Sequence, residues 1–215
     1  MSLRSIRLVG WLTVVAAVAA GASSCSDDSA ESSNAAATPP SENALPAVAA
    51  PTSATGERSE AIKAATADID GKRIANADDE PGNWLAHGRS YDEQRFSLLA
   101  DISTETIDDL GLAWHWDTGT TRGLEATPIV VDGIMFSTGS WSVVWAHDAK
   151  TGELLWQYDP QVPRDWGKFA CCDVVNRGVA AWKGRIYAGT IDGRLIALNA
   201  ATGELDWEVQ TTDKE

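Results

Sequence analysis

The sequence has 215 residues, with 17 lysines and arginines against 31 aspartates and glutamates, and a formal net charge of −14. This balance argues against a nucleic-acid-binding protein of the basic-patch kind, because few side chains are available to neutralise phosphates. No nucleic-acid partner is therefore expected. The ten tryptophans indicate a body that packs many indole rings, since each indole buries a large apolar area.

Residues 1–24 are predicted to be a signal peptide. Two arginines precede an apolar run, Leu8–Ala22, that is too short and too rich in alanine for a comfortable membrane span. Small residues then lead to Cys25, in a pattern that resembles a bacterial lipoprotein processing box. We expect Cys25 to be lipidated and to tie an exported, periplasmic or cell-envelope protein to the membrane; cleavage nearby without lipid is the alternative. Export permits disulfides.

Residues 25–80 are predicted to be the anchor and a flexible linker. From Ser26 to about Glu60 the chain is mainly Ser, Ala, Pro, Thr, Asn and Glu without any aromatic residue, so it buries too little apolar surface to offset its ordering entropy. A short helix around Glu60–Ala65 is only weakly indicated. The folded body is expected over residues 81–215 and begins with an irregular arm, Trp84–Ser97, where aromatic and charged residues mix without a period.

A helix and a strand are predicted next. Ser103 is placed to cap a short helix that runs through Leu110, with Glu105 in its first turn and Gly111 after its end. The following residues, Leu112–Trp116, alternate apolar and polar side chains, which is typical of a strand.

The decisive feature is a repeat. The run Ala146–Trp156 recurs as Ala197–Trp207, 51 positions later, and both copies have the form A-x-[DN]-x-x-T-G followed by a strand that ends at tryptophan. Upstream, Asp132–Gly133 and Lys183–Gly184 lie between apolar runs and predict hairpin turns with positive φ, and Asp192–Gly193 predicts a further tight turn. Three to four strands per unit at this period predict the blades of an all-β propeller.

The first unit departs from the second at one turn. Trp141 and Ser142 stand where the second unit has Asp192 and Gly193. A bulky indole at a tight turn either packs inside the body or covers a site, and we favour packing.

Two adjacent cysteines, Cys171 and Cys172, are followed by Arg177. Consecutive Cα atoms lie about 3.8 Å apart, closer than the roughly 4.4–6.8 Å of ordinary disulfides. A bond between neighbours would therefore close a strained ring of the kind found at ligand sites. The residues leave two readings open, such a vicinal disulfide or two small buried thiols that never bond.

Several runs resemble signatures of the pyrroloquinoline-quinone (PQQ)-dependent alcohol dehydrogenases, which include methanol- and ethanol-dehydrogenase-like quinoproteins. The repeat looks like their blade-docking tryptophan motif, and three further runs look like separate signatures of the family: W-L-A-H-G-R-S-Y-D-E-Q-R-F-S at 84–97, G-L-E-A-T-P at 123–128 and A-C-C-D-V-V-N-R-G at 170–178. The resemblance extends from about residue 82 to the end.

The resemblance implies roles for four residues. Cys171 and Cys172 would form a vicinal disulfide ring that stacks on one face of the quinone, and Glu125 and Arg177 would bind its polar rim. The chemistry is compatible, because PQQ is a flat tricarboxylic acid, to which a guanidinium fork is a suitable partner. The function implied is that of an exported enzyme that oxidises a small alcohol to an aldehyde or ketone and passes electrons to a cytochrome c.

The family's other functional residues would fall in later blades. They comprise the glutamate and asparagine ligands of a calcium or lanthanide ion, a catalytic aspartate base and a tryptophan on the quinone's other face. No catalytic or metal-binding residue is therefore expected within this chain. Residues 82–215 make about 2.6 units, and a closed propeller needs four to eight. We expect an incomplete propeller that is inactive alone, as a fragment, a truncated reading frame or a piece of a split protein.

The alternative function is that of a scaffold protein. A non-enzymatic PQQ-repeat propeller lipoprotein, acting as an outer-membrane assembly scaffold, would carry the same docking motif and a lipid anchor. The cysteine pair with N-R-G and the G-L-E-A-T-P run favour the dehydrogenase, because a scaffold does not need a ring that stacks on a quinone.

Overall fold

Two antiparallel four-stranded sheets follow each other along the chain in the computed structural model, which describes residues 56–213. Each sheet is a meander whose strands pair in chain order. The first comprises β1 (Ile129–Val131), β2 (Ile134–Thr138), β3 (Val144–Asp148) and β4 (Leu154–Tyr158). The second comprises β5 (Ala180–Trp182), β6 (Arg185–Gly189), β7 (Arg194–Asn199) and β8 (Leu205–Gln210). Two successive four-stranded meanders are the blades of an all-β propeller, as the repeat predicts.

The first hairpin of each blade has the predicted turn. Asp132 and Gly133 have φ angles of 47° and 83°, and Lys183 and Gly184 have 45° and 79°. Positive φ at both central residues is the two-residue turn whose twist matches that of the flanking strands. The tight turn at Gly193 is also confirmed, with its amide bonded to the Thr190 carbonyl at 3.0 Å.

The T-G turn of the repeat is held by one side chain in each blade. The Asp148 carboxylate accepts hydrogen bonds from the amides of Lys150 (3.0 Å) and Thr151 (2.8 Å). The Asn199 amide oxygen accepts in the same way from Ala201 and Thr202. A short side-chain acceptor at this position therefore closes the turn, which explains why the repeat carries Asp or Asn there.

A tryptophan docks the first blade onto the second. Trp156 of β4 donates its indole N–H to the Ala200 carbonyl of the second blade at 2.9 Å. A Cβ on Gly203, whose φ is +73°, would approach the Trp156 ring to 2.6 Å. Only glycine allows the indole to lie against this turn. The glycine of one repeat and the tryptophan of the preceding repeat therefore form the contact between neighbouring blades together.

Trp114 makes the same contact with the first blade. Its indole N–H donates to the Ala149 carbonyl at 3.0 Å, and a Cβ on Gly152 would meet its ring at 2.5 Å. The segment that carries Trp114 is thus related to the first blade as β4 is related to the second.

The core lies between the two sheets. Its largest buried side chains alternate along β1, at Ile129 and Val131, and along β7, at Ile196 and Leu198, as expected for faces in contact. Phe136 and Trp156 contribute ring centroids 5.8 Å apart from the first sheet, and Ile186, Ile196 and Leu198 contribute from the second, all within one continuous cluster.

The predicted linker extends too far toward the body. Residues 56–80, placed in the flexible segment, hold two helices, α1 (Gly56–Ala67) and α2 (Gly71–Ala75). Ile62, Ile69 and Ile74 are buried in the core cluster, and α1 packs against β5. The helix weakly indicated around Glu60–Ala65 is therefore real and longer. The signal was weak because these core residues are spread over two short helices and the turn between them.

The helix predicted for Ser103–Leu110 is wrong. Only a single 3₁₀ turn, Ile107–Asp109, forms there, and both Ile107 and Leu110 are exposed. Ser103 does accept a hydrogen bond from the Glu105 amide, so the local capping chemistry is present. A short helix without a packed apolar face is not stable, which explains why the cap does not suffice.

The strand predicted for Leu112–Trp116 is wrong as hydrogen-bonded structure. Within residues 56–213 this segment pairs with no other strand, and Leu112 is 82% exposed. The side chains nevertheless alternate in burial as the sequence predicts, because Trp114 and Trp116 are half-buried and His115 between them is exposed. The arm at Trp84–Ser97 is irregular as predicted, apart from one bridge between Trp84 and Val130.

Within residues 56–213, no helix has the length and apolar character needed to cross a membrane. The predicted signal peptide and the lipidation of Cys25 lie outside the described residues.

Candidate functional site

Two chain segments, residues 122–127 and 171–178, lie side by side at the ends of β2 and β6. The Thr127 amide donates to the Arg177 carbonyl at 3.2 Å, and Thr127 pairs with Gly178 in a parallel bridge. Gly178 has a φ of +124°, and a Cβ there would lie 2.8 Å from the Thr127 carbonyl oxygen. The glycine after Arg177 is therefore required for the close approach of the two segments.

A charged pair joins the other ends of these segments. The Arg122 guanidinium donates to the Asp173 carboxylate, which also accepts from the Gly123 amide at 3.2 Å. The pKa of Asp173 is lowered, first by the hydrogen bond from the Val174 amide and then by Arg122. Asp173 is thus ionised at neutral pH and fixes the start of one segment to the start of the other.

The predicted cofactor residues are brought together on this surface. The Arg177 guanidinium lies 3.0 Å from the Glu125 carboxylate, and these side chains are 74% and 42% exposed. Cys171 and Cys172 are exposed beside them. The pKa of the Cys172 thiol is raised, chiefly by its interaction with Cys171, and the charges of Glu125 and Arg177 act on it with opposite signs. All four residues therefore face one solvent-accessible region.

The two thiols are close but not joined. Their Sγ atoms are 2.8 Å apart, and both cysteines are free and exposed. The two thiols are therefore exposed and unbonded in this structure, so the buried packing role of the second reading is absent here. The vicinal disulfide stays a prediction.

Trp141 is packed beneath the site, which confirms the packing interpretation. The side chain is 7% exposed and contacts Val162 and Val174, and its backbone N–H donates to the Val174 carbonyl at 2.9 Å. The guanidinium carbons of Arg122 and Arg164 lie 5.5 and 4.4 Å from the ring centroid. Trp141 has a φ of +62°, an uncommon conformation for a bulky residue that places the indole under the cysteine loop.

A cavity of about 260 Å³ lies on the first blade; Leu124 and Ala126 of segment 122–127 line it, but none of the four predicted cofactor residues does. Its wall includes Trp114, Trp116, Trp145 and the buried His147. Burial lowers the pKa of His147, so its ring is neutral at pH 7 and is part of an aromatic wall.

Three polar residues of the site were not predicted: Arg122, Asp173 and Asn176. The contacts that join them to another segment or blade are with residues 13 to 51 positions away, so sequence spacing alone gives no signal for these contacts. Asp173 and Asn176 do lie within the A-C-C-D-V-V-N-R-G run, which is the one place where a search would have found them. No group of three or more His, Cys, Asp or Glu side chains suited to a metal ion occurs within residues 56–213.

Successive four-stranded blades, docked by tryptophans and bearing this charged surface, define a β-propeller protein. The chain belongs to the family of PQQ β-propeller domains of glucose, ethanol and alcohol dehydrogenases, whose sequence profile matches residues 84–208.

Individual proteins agree with this assignment. The chain is 57% identical over 145 residues to the quinohemoprotein alcohol dehydrogenase ADH-IIG of Pseudomonas putida, covering 67% of this chain and 20% of that protein. It is 52% identical over 130 residues to 1-butanol dehydrogenase (cytochrome c) of Thauera butanivorans, covering 60% and 19%. The crystal structure of quinohemoprotein alcohol dehydrogenase from Comamonas testosteroni superposes with a TM-score of 0.69 at 51% identity, covering 72% and 23%. The chain thus spans about a fifth of the length of the curated relatives it matches.

Proposed function

We propose that residues 122–127 and 171–178 form one side of a PQQ site in an exported alcohol dehydrogenase. The enzyme oxidises a small alcohol to an aldehyde or ketone and passes the electrons to a cytochrome c. The observation that carries the proposal is the convergence of Glu125, Arg177 and the cysteine pair on one exposed surface. The names of the relatives from Pseudomonas putida and Thauera butanivorans support the alcohol substrate, and the latter name supports the acceptor.

The residues present fit the cofactor's chemistry. PQQ supplies a flat quinone that accepts two electrons, and it carries carboxylates on its rim. The exposed Arg177 fork suits a carboxylate, because a guanidinium offers parallel N–H donors at the spacing of two carboxylate oxygens. Glu125 orients that fork through the 3.0 Å ion pair, which gives a glutamate a reason to stand beside an anionic ligand. Joined as a ring, Cys171 and Cys172 would present a flat apolar face to the quinone.

The remaining chemistry is assigned to residues outside this chain. The ligands of a calcium or lanthanide ion, the catalytic base and the residue on the quinone's other face are expected in further blades, as the sequence resemblance implies. Cys25, when lipidated, would hold the protein at the membrane. Identities above 50% to alcohol dehydrogenases support this function over an outer-membrane scaffold.

The experiment is PQQ binding to the 215-residue chain, followed by quenching of tryptophan fluorescence. Arg177→Gln should weaken binding at least about tenfold, the loss expected for one charge-assisted hydrogen-bonded pair. Arg185→Gln is the matched control, because Arg185 is also an exposed arginine paired with a carboxylate, at 2.8 Å from Asp206, but lies on the second blade. Equal affinities in the two variants would contradict the proposal.

A thiol count tests the cysteine pair separately. After expression with export, the denatured chain should show no free thiol at Cys171 or Cys172. Two reactive thiols at these positions under oxidising conditions would contradict the ring while leaving the role of Arg177 standing.

A further inference from the structure

One side chain beneath the site uses its whole hydrogen-bonding capacity. The Asn176 amide oxygen accepts from the Thr138 hydroxyl at 2.9 Å and from the Gly178 amide at 3.0 Å. Its NH₂ group donates to the Ser142 hydroxyl oxygen at 3.2 Å and to the Gly189 carbonyl at 2.8 Å. A side-chain amide has two donor hydrogens and two acceptor lone pairs. All of them are engaged here.

The partners of Asn176 belong to both blades. Thr138 is the last residue of β2, and Ser142 lies in the loop that follows it. Gly189 is the last residue of β6 in the second blade. Ser142 extends the connection, since its hydroxyl also accepts from the Ile191 amide at 3.3 Å. A single amide therefore ties the two sheets together at the end that carries the candidate site.

The backbone fixed by this amide leads directly into the candidate cofactor residues. Asn176 immediately precedes Arg177, and its side chain accepts a hydrogen bond from the amide of Gly178, which immediately follows. The backbone is therefore fixed on both sides of Arg177. The Arg177 side chain is 74% exposed. Its partner Glu125 is also exposed, so this ion pair alone does not fix the guanidinium in place. Its location consequently depends on the backbone, which is held by Asn176 and by the Thr127 amide bonded to the Arg177 carbonyl.

We propose that Asn176 is a positioning residue, which fixes the Arg177 backbone against both blades before any ligand arrives. Its relevance to PQQ rests on the proposed function, whereas the connection between the blades does not. A group held in place before binding loses less entropy when the ligand is bound. Asn176 would therefore strengthen cofactor binding without touching the cofactor.

The chemistry of the position selects asparagine. An ionised aspartate has no donor and would face the Gly189 carbonyl oxygen with a negative charge. Glutamine is one methylene longer and cannot reach the same partners without moving the backbone. Alanine removes the shared partner of Thr138 and Gly189 and leaves the bond from the Ile191 amide to Ser142 at this end.

The first test is hydrogen exchange of individual backbone amides in the 215-residue chain, which needs no ligand. In Asn176→Ala, the Gly178 and Thr127 amides should exchange about tenfold faster, since each depends on the loop that loses its hydrogen bonds. The matched control is Asn199→Ala. Asn199 also bonds two backbone amides, those of Ala201 and Thr202, but at the far end of β7, about 17 Å from its start.

The control should accelerate exchange near its own turn and leave Gly178 and Thr127 unchanged. Thr138→Val removes one of the hydrogen bonds of Asn176 and should accelerate the Gly178 amide by a smaller factor, about threefold. This milder variant decides the question if Asn176→Ala does not fold. Unchanged exchange at Gly178 in the folded variants would overturn the proposal.

The second test is PQQ binding by the same variants. Asn176→Ala should weaken it about tenfold and Asn199→Ala should leave it unchanged, even where the two lose similar thermal stability. A merely structural residue would instead weaken binding only in proportion to the unfolded fraction, and that result would overturn the positioning role. Equal PQQ binding by Arg177→Gln and Arg185→Gln would refute the proposed function, and hydrogen exchange would still decide the role of Asn176.

Discussion

Replacing the docking tryptophan measures how strongly the two blades are joined. Trp156 and Trp207 occupy the same position of the repeat, in β4 and β8, but Trp156 is 4% exposed and Trp207 is 40% exposed. Taking about 250 Å² for a whole tryptophan, Trp156 buries about 90 Å² more. At about 25 cal/mol per Å², this area is worth about 2 kcal/mol.

The hydrogen bond from the Trp156 indole to the Ala200 carbonyl adds about 1 kcal/mol. Trp156→Ala should therefore lower the free energy of unfolding by about 3 kcal/mol more than Trp207→Ala. Trp156→Phe keeps most of the buried area, so its loss in the free energy of unfolding should lie between those of Trp156→Ala and Trp207→Ala.

The assay is urea unfolding of the 215-residue chain followed by far-ultraviolet circular dichroism, because the substitutions remove fluorescent residues. The comparison of two equivalent positions cancels the intrinsic cost of replacing tryptophan by alanine in a strand. A difference below about 1 kcal/mol, which is within reach of ordinary context effects, would refute the idea that this tryptophan carries the contact between the blades.

Two further changes test the site and the N-terminal helices. Gly178→Ala should lower the free energy of unfolding by about 1–3 kcal/mol, which is more than Gly133→Ala should cost. Both glycines have positive φ, but only at Gly178 would a Cβ press against the Thr127 carbonyl. Equal losses of stability in urea unfolding would contradict this. The pKa of Glu80 is lowered in the folded chain, first by its hydrogen bond from Arg73. The ionised Glu80 carboxylate therefore stabilises the fold above about pH 4.3, the pKa of an unfolded glutamate, and this stabilisation is lost as the pH falls through the pKa of the folded chain. Glu80→Gln should therefore unfold more easily than the unmodified chain at pH 7, and the gap should narrow toward pH 3; a gap independent of pH would argue against this pair.

The parts of the fold that the sequence predicted are those set by local chemistry. Turns at Gly133 and Gly184 follow from residues that accept positive φ, and the T-G turn follows from an Asp or Asn two or three residues before the amides it bonds. Because these signals recur at a fixed spacing, they also revealed the blades.

The parts that it missed depend on contacts between distant residues. Ile62 and Ile74 look like isolated apolar residues in a polar stretch, and only their packing in the core shows that the body begins before residue 81. Conversely, the Ser103 cap and the Leu112–Trp116 alternation are correct local signals in segments without the neighbours that would complete a helix or a sheet.

The site divides in the same way. Glu125, Cys171, Cys172 and Arg177 were predicted as cofactor residues because they belong to recognisable runs, and the structure gathers them on one surface. Asn176 stands inside such a run, yet its importance comes from Thr138 and Gly189, which lie on different blades. The bonds that connect the blades through Asn176 are to residues far from it in the chain, and such bonds leave no pattern in the sequence.

The docking contact has a direction. Each tryptophan points forward to the turn of the following unit, at Ala149–Gly152 for Trp114 and at Ala200–Gly203 for Trp156. A head-to-tail contact of this kind joins two different surfaces of like units, and it closes into a ring when the rotation per step divides a full turn. Any unit that is copied within a gene would therefore carry both halves of its own interface. Blade number in such a propeller can consequently change by duplication without the invention of a new contact.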